Sequence, residues 1–144
     1  MTPTHDEVVT HAHVRTVAVS GDRQVALITL DNGFDHTKPN TFGPVGLAEL
    51  DAALDQVHGL AQAREIAAVA LTGKPFNFCA GADLKSFRQM SSRDEVLDIA
   101  RLGHKVFQRL GELGVPSFAF VNGLALGGGL EVALHCTYRT VSSG

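Results

Sequence analysis

The amino-acid sequence predicts an α/β fold with parallel strands, and two observations carry that prediction. Two continuous apolar runs of strand length, at 66–71 and 117–121, are typical of parallel strands that are covered on both faces. Between them, residues 93–112 carry apolar side chains at the three- and four-residue spacing of an amphipathic helix. A strand, a helix and a second strand in that order predict a right-handed crossover.

The first 13 residues are predicted to form a flexible N-terminus ahead of one folded core, residues 14–144. This segment is polar and contains three histidines. No acid or cysteine lies at metal-ligand spacing from them, so a frayed terminus is favoured over a metal site. The histidines are His5, His11 and His13.

The core is predicted to open with a β-hairpin and a helix. Two runs rich in β-forming residues, 14–20 and 24–30, flank a short Gly-Asp-Arg turn. A loop rich in Gly, Asp, Asn and Pro follows at 31–43. Apolar residues at helical spacing then predict a helix from Pro44, which suits a first turn, to Gly59.

The second half of the chain is predicted to alternate loops, helices and strands. Residues 72–82 are predicted to be a loop, and Asp83 is predicted to cap a short helix that follows it. A further helix is expected from about Gly128, and residues 138–141 predict one more strand.

Composition excludes several classes of function. The formal net charge is −3 and the 12 Lys and Arg residues are scattered, so nucleic acid is not an expected partner. The most apolar stretch, residues 118–134, is interrupted by Asn122 and Glu131, so no membrane span is expected. The two cysteines, Cys79 and Cys136, lack metal spacing, which favours a reducing, cytoplasmic compartment and no bound metal.

Two motifs carry the chemistry. NFCAGADLK, at 77–85, and NGLALGGGLE, at 122–131, are each predicted to lie at the carboxyl end of a parallel strand, where ligands of open α/β sheets bind. Consecutive glycines at the start of a helix expose backbone N–H groups to a ligand. Glu131, in the same turn, can transfer a proton. Together they predict a site that stabilises an oxyanion beside an acid–base group.

The order CAGADLK followed by VNGLALGGGLE resembles the crotonase superfamily, the enoyl-CoA hydratase/isomerase group. GLALGGGLEVALHC is similar to hydratase domains, including those fused to 3-hydroxyacyl-CoA dehydrogenases. The resemblance implies a spiral of ββα units, a homotrimer or homohexamer, and an acyl-CoA thioester as substrate with no separate cofactor. It implies oxyanion donors at the N–H groups of Ala82 and Gly128 and a catalytic role for Glu131. It also implies substrate or CoA contacts at Ala80, Gly81, Asp83, Leu84, Lys85 and Gly127.

Plainer interpretations of the same residues stay open at this stage. The three glycines could serve close packing of a helix on a strand, and Glu131 could simply complement the helix dipole. Lys74, Lys85 and Arg88 are candidates for CoA phosphates, but exposed basic residues are usually only solvated. His104 and His135 are predicted to have structural roles, and Cys79 is predicted to serve packing.

Two departures from the superfamily pattern bear on function. The second glutamate of the hydratases would lie beyond Gly144, so we expect this chain to be the N-terminal part of a longer domain. The loop at 31–43 is longer than usual and is expected to reshape the CoA or acyl mouth. Three interpretations follow: a hydratase, an isomerase or other crotonase-type enzyme, and a CoA-binding scaffold without turnover.

Overall fold

The computed structural model describes residues 6–143. Within them a 3₁₀ turn, Arg109–Gly111, extends the third helix. The strands and helices in chain order are β1 (His11–Ala18), β2 (Gln24–Asp31), α1 (Pro44–Gln62), β3 (Ala68–Gly73), β4 (Phe76–Cys79), α2 (Leu84–Arg88), α3 (Arg93–Gln108), β5 (Ser117–Val121), β6 (Gly123–Ala125), α4 (Gly128–His135) and β7 (Tyr138–Val141).

The larger sheet has the strand order β1-β2-β3-β5-β7. The hairpin strands β1 and β2 are antiparallel, whereas β2, β3, β5 and β7 run parallel to one another. β4 and β6 form a second, two-stranded parallel sheet. The predicted α/β class is therefore confirmed.

The first strand begins earlier than predicted. β1 starts at His11, which pairs with Asp31, so the assignment of residues 11–13 to a flexible terminus is wrong. Thr10 is buried and exchanges two hydrogen bonds with the backbone of Thr41. The polar sequence reflects an edge strand with exposed side chains, not a lack of structure. His5 lies outside the described residues.

The same segment also caps the first long helix. The carboxylate of Glu7 accepts hydrogen bonds from the N–H groups of Val45 and Gly46, at 3.1 and 2.9 Å. These donors belong to the first turn of α1, where backbone N–H groups lack partners within the helix. Glu7 thus supplies the capping interaction that Gly43, the N-cap residue, cannot make with a side chain.

Strands β4 and β6 were not predicted, because both lie in segments with the composition of loops. Gly123 has a φ of 151°, and a Cβ there would lie 2.3 Å from the carbonyl oxygen of Phe76. Only glycine permits such an approach between the two backbones. The pairing thus depends on contacts between segments far apart in the chain.

The core lies between the larger sheet, the smaller sheet and the helices α1 and α3. The predicted apolar face of α1 is buried, although the helix continues three residues past Gly59. The buried face of α3 includes Ile99, Val106 and Phe107. In the part of the chain that the structure describes, no helix is long and apolar enough to cross a membrane.

Candidate active site

The two motifs meet because the small sheet aligns them. The first runs from β4 into α2, and the second leads through β6 into α4, while β4 and β6 are parallel neighbours. A Cβ on Gly81 would lie 2.9 Å from the carbonyl oxygen of Leu126 and 3.3 Å from the nitrogen of Gly128. Gly81 has a φ of 100°, so both its conformation and its surroundings require glycine.

The backbone around Ala82 is held by a short bridge to Phe42. The N–H of Phe42 donates to the carbonyl oxygen of Gly81 at 2.7 Å, and the N–H of Asp83 donates to the carbonyl oxygen of Phe42 at 2.9 Å. Because these bonds use the groups on either side of Ala82, the N–H of Ala82 itself points away from Phe42. Within residues 6–143 that N–H has no acceptor.

The N–H of Gly128 is similarly free. Gly128 is the first residue of α4, where the N–H groups have no partner within the helix. Among the described residues no acceptor takes it, whereas the next N–H, of Gly129, donates to Leu126 at 2.9 Å. The two N–H groups proposed from the sequence therefore remain free to bind an oxygen atom.

The three consecutive glycines have three different roles. Gly127 has a φ of 49° and forms the turn into α4. Gly128 lines a cavity, and the nearest atom to a Cβ there would be Oε2 of Glu131, 3.8 Å away. A Cβ on Gly129 would lie only 1.9 Å from the carbonyl oxygen of Cys79. The packing interpretation is thus correct for Gly129, while Gly128 faces open space.

The cavity beside Gly128 has a volume of about 280 Å³ and a mostly apolar wall. Glu131 lies on this wall in the first turn of α4. His104, which the sequence assigned a structural role, also lines the cavity and is exposed. The other lining residues are Phe42, Leu47, Gly81, Ala82, Phe87, Ile99, Ala100, Gly103 and Phe107.

A second cavity of about 290 Å³ lies on the other side of Ala82. Lys38 and Lys85 line it and give it a positive edge. Ala82 belongs to both cavities and so marks the point where they adjoin. The remaining lining residues are Val8, Pro39, Thr41, Ala80, Asp83 and Leu84.

The sequence-predicted site residues are distributed over these two cavities. Ala80, Asp83, Leu84 and Lys85 line the second one, whereas Gly127 lines neither. Asp83 is the predicted cap of α2: its carboxylate accepts from the N–H of Lys85 at 3.1 Å and from Oγ of Ser86 at 2.9 Å.

Two other sequence candidates have structural contacts instead. Lys74 is only 4% exposed and its ammonium is enclosed by a loop, so it does not reach a CoA phosphate. The ring of His135 bonds the carbonyl oxygen of Glu131 through Nδ1 at 2.8 Å and packs near Phe107, as a structural residue would. Burial raises the pKa of the Cys79 thiol to about 12, in accord with a packing role.

The sequence did not identify Phe42 and Lys38 as site residues. Both lie in the loop between β2 and α1, and the only available signal was the unusual length of that loop. The expectation that this loop shapes the mouth of the site agrees with its position on both cavities.

The sequence of this chain matches the model of a known family. The family model described as Enoyl-CoA hydratase/isomerase matches residues 20–143. The chain belongs to the enoyl-CoA hydratase/isomerase family. The matched segment contains both motifs and all residues that line the first cavity, so the resemblance drawn from the two motifs is confirmed.

Relatives of this family member include a fatty acid oxidation complex subunit and an enoyl-CoA hydratase. It is 36% identical over 121 residues to a fatty acid oxidation complex subunit alpha from Aliivibrio fischeri, covering 84% of this chain and 17% of that protein. It is 34% identical over 131 residues to a short-chain-enoyl-CoA hydratase from Clostridium acetobutylicum, covering 90% of this chain and 48% of that protein. The chain thus spans about half of the shorter relative and a sixth of the longer one.

Solved structures of the family share the fold. An enoyl-CoA hydratase from Bacillus anthracis superposes with a TM-score of 0.73 at 30% identity, covering 88% of this chain and 46% of that one. DspI from Pseudomonas aeruginosa gives a TM-score of 0.70 at 31% identity, covering 95% of this chain and 52% of that one. The predicted crotonase-like architecture is confirmed by these similarities.

Proposed function

We propose that this chain carries the oxyanion site and one acid–base residue of an enoyl-CoA hydratase acting in fatty-acid β-oxidation. The observation that supports it most directly is the position of Ala82 and Gly128. Both residues line the apolar cavity that Glu131 also lines, and Ala82 in addition lines the adjoining cavity edged by two lysines. A thioester with an apolar acyl group on one side and an anionic CoA on the other fits that arrangement.

In this proposal the thioester carbonyl oxygen accepts from both N–H groups. Negative charge develops on that oxygen when a nucleophile adds to C3 of the conjugated acyl group. Backbone donors that are already in place stabilise the charge without reorganising. The start of α4 contributes its positive dipole end to the same oxygen.

Glu131 supplies the proton transfer. Its Oε2 lies beside the position of Gly128, so the carboxylate is close to the carbons next to a carbonyl bound there. Addition of water places OH on C3 and H on C2, which requires a base for the water and an acid for C2. Glu131 takes part in this transfer, and coenzyme A enters as part of the substrate.

The hydratase is favoured over the isomerase and the scaffold for two reasons. A carboxylate in the first turn of α4 is what water addition requires in this cavity. The Clostridium acetobutylicum relative is named a short-chain-enoyl-CoA hydratase. The homotrimeric or homohexameric assembly stays a prediction.

Replacement of Glu131 by Gln tests the proposal. The amide keeps the size of the side chain but cannot act as a base, so turnover of a short 2-enoyl-CoA should fall by about 10²–10⁴-fold. Loss of absorbance of the conjugated thioester measures hydration, and calorimetry with a non-reacting acyl-CoA measures binding, which should hardly change. Glu65→Gln is the matched control, since Glu65 is an exposed acid that lines neither cavity. Equal turnover in both variants would refute the role of Glu131.

A further inference from the structure

Lys74, directly after β3, is a buried lysine whose ammonium is surrounded by oxygen atoms. Its Nζ donates to Oδ1 of Asn32 at 2.5 Å and to the carbonyl oxygens of Phe34, Asp35 and Lys38 at 2.8, 3.0 and 2.6 Å. Burial lowers its pKa, and the nearby carboxylates of Asp31 and Asp35 oppose that shift. Four acceptors around one nitrogen favour an ammonium, whose three N–H donors can serve them with one bond shared, over a neutral amine, which has only two N–H donors.

All four acceptors belong to one loop, residues 32–38. The loop is closed a second time by Nδ2 of Asn32, which donates to the carbonyl oxygens of Lys38 and Pro39 at 3.2 and 3.0 Å. In effect the chain folds around the ammonium as it would around a bound cation. Without that charge, three half-covered carbonyl groups of the loop would lose this donor and the buried end of the Lys74 side chain would no longer bind the loop, so the loop would lose the interactions that hold its shape.

The enclosed loop leads directly to the proposed site. Asn40 is fully buried, and its side chain accepts from the N–H of Asn32 at 3.0 Å. The backbone carbonyl oxygen of Asn40 accepts from the N–H of Ala80 at 2.8 Å. Two residues later Phe42 forms the bridge that orients Ala82. Hydrogen bonds and short stretches of backbone thus connect the ammonium to Gly81 and Asp83, the two neighbours of the proposed donor Ala82.

The backbone of Lys74 is connected to the other motif. Nδ2 of Asn122 donates to the carbonyl oxygen of Lys74 at 2.7 Å, and Oδ1 of Asn122 accepts from the N–H of Gly73 at 3.1 Å. Asn122 lies between β5 and β6, at the start of the segment that ends in Gly128. Lys74 therefore contacts the loop that leads to Phe42 through its ammonium, and the segment that leads to Gly128 through its backbone.

We propose that Lys74 is a positioning residue, whose ammonium fixes the loop at 32–38 and thereby sets the bridge between Phe42 and Ala82. One part of this inference rests on the proposed function: that the N–H of Ala82, once oriented, binds the thioester oxygen. The link from Lys74 to the bridge is a property of the fold and can be measured without substrate. A misplacement of about 1 Å in such a group can lower turnover by about a hundredfold.

Lys74→Met is the test variant, and Arg109→Met is the control. Arg109 is also a largely covered basic residue, and it joins α1 to the end of α3 by bonding Asp51 and Asp55. Amide hydrogen exchange at Phe42 and Asp83, the two donors of the bridge, is measured in the purified protein. We expect exchange at both amides to rise by about tenfold or more in Lys74→Met and to stay near the wild-type value in Arg109→Met.

The second readout is the absorption spectrum of a conjugated acyl-CoA bound to the protein, because polarisation of the carbonyl shifts it to the red. Lys74→Met should lose at least about half of the red shift, while Arg109→Met keeps it. Unchanged exchange at Phe42 and Asp83, or an equal rise in both variants, overturns the positioning role. A wild-type protein that binds the ester without a red shift overturns the proposed function instead.

Two other outcomes of this experiment are a mixed result and a variant that does not fold. If exchange rises at Phe42 and Asp83 but the red shift is kept, Lys74 stabilises the bridge without orienting the N–H of Ala82. That result refutes the proposed effect of Lys74 on the oxyanion site. If Lys74→Met does not fold, Lys74→Gln is measured in the same way, since it removes the charge but keeps two N–H donors.

Discussion

Two neighbouring glycines, Gly128 and Gly129, should respond in opposite ways to the same substitution. A Cβ on Gly129 would lie 1.9, 2.6 and 2.8 Å from the carbonyl oxygen, carbonyl carbon and Cβ of Cys79. Ordinary contact begins near 3.4 Å, so α4 would have to withdraw by about 1.5 Å from β4. The obstacle is backbone and cannot rotate away.

Gly129→Ala should therefore cost at least about 3 kcal/mol, at the upper end of what overpacking usually costs. For a chain of this length that corresponds to a fall in Tm of roughly 6–12 °C. Gly128→Ala has no such obstacle, because its nearest contacts would be 3.8–4.0 Å away. It should leave stability unchanged or raise it by about 0.4–1 kcal/mol, since alanine restricts the unfolded chain.

Gly128→Ala should lose activity although it keeps its stability. The methyl group of Gly128→Ala would project into the cavity, 3.8 Å from Oε2 of Glu131 and 4.0 Å from the ring of Phe107. We expect kcat/KM to fall by about tenfold or more in a protein that melts normally. Urea and thermal unfolding, with hydration of a 2-enoyl-CoA, measure both effects. A Gly129→Ala protein with the wild-type Tm would refute the packing of α4 on β4 that is described above.

Two further predictions concern buried polar groups. Because burial raises the pKa of Cys79 from 9.0 to about 12, thiol reagents should not label it in the native protein at pH 8, and rapid labelling would contradict this. Above pH 9 the thiol ionises in the unfolded chain but not yet in the folded one, so the free energy of unfolding should decline from pH 9 toward pH 12. Asn40→Ala should cost roughly 2–4 kcal/mol in urea unfolding, because the fully buried side chain bonds Asn32, Leu30 and Phe78; a cost below about 1 kcal/mol would show that water replaces it.

Much of the fold followed from local sequence patterns. The apolar spacing along α1 and the cap of α2 depend on neighbouring residues, and the structure has them as expected. The two glycine-containing motifs also indicated where an oxygen atom could be bound. Residues 11–13 were misassigned because an exposed edge strand and a polar terminus have similar compositions.

The sequence by itself determined the α/β class, the order of the main elements and the family. Apolar periodicity and sequence motifs depend only on residues that are close together in the chain. Only the tertiary structure showed that β4 pairs with β6, that Phe42 orients Ala82 and that Lys74 is enclosed by a loop. It alone separated Gly128, which faces a cavity, from Gly129, which packs against Cys79. These contacts join residues 36 to 50 positions apart, and their geometry depends on how the sheets bring distant segments together.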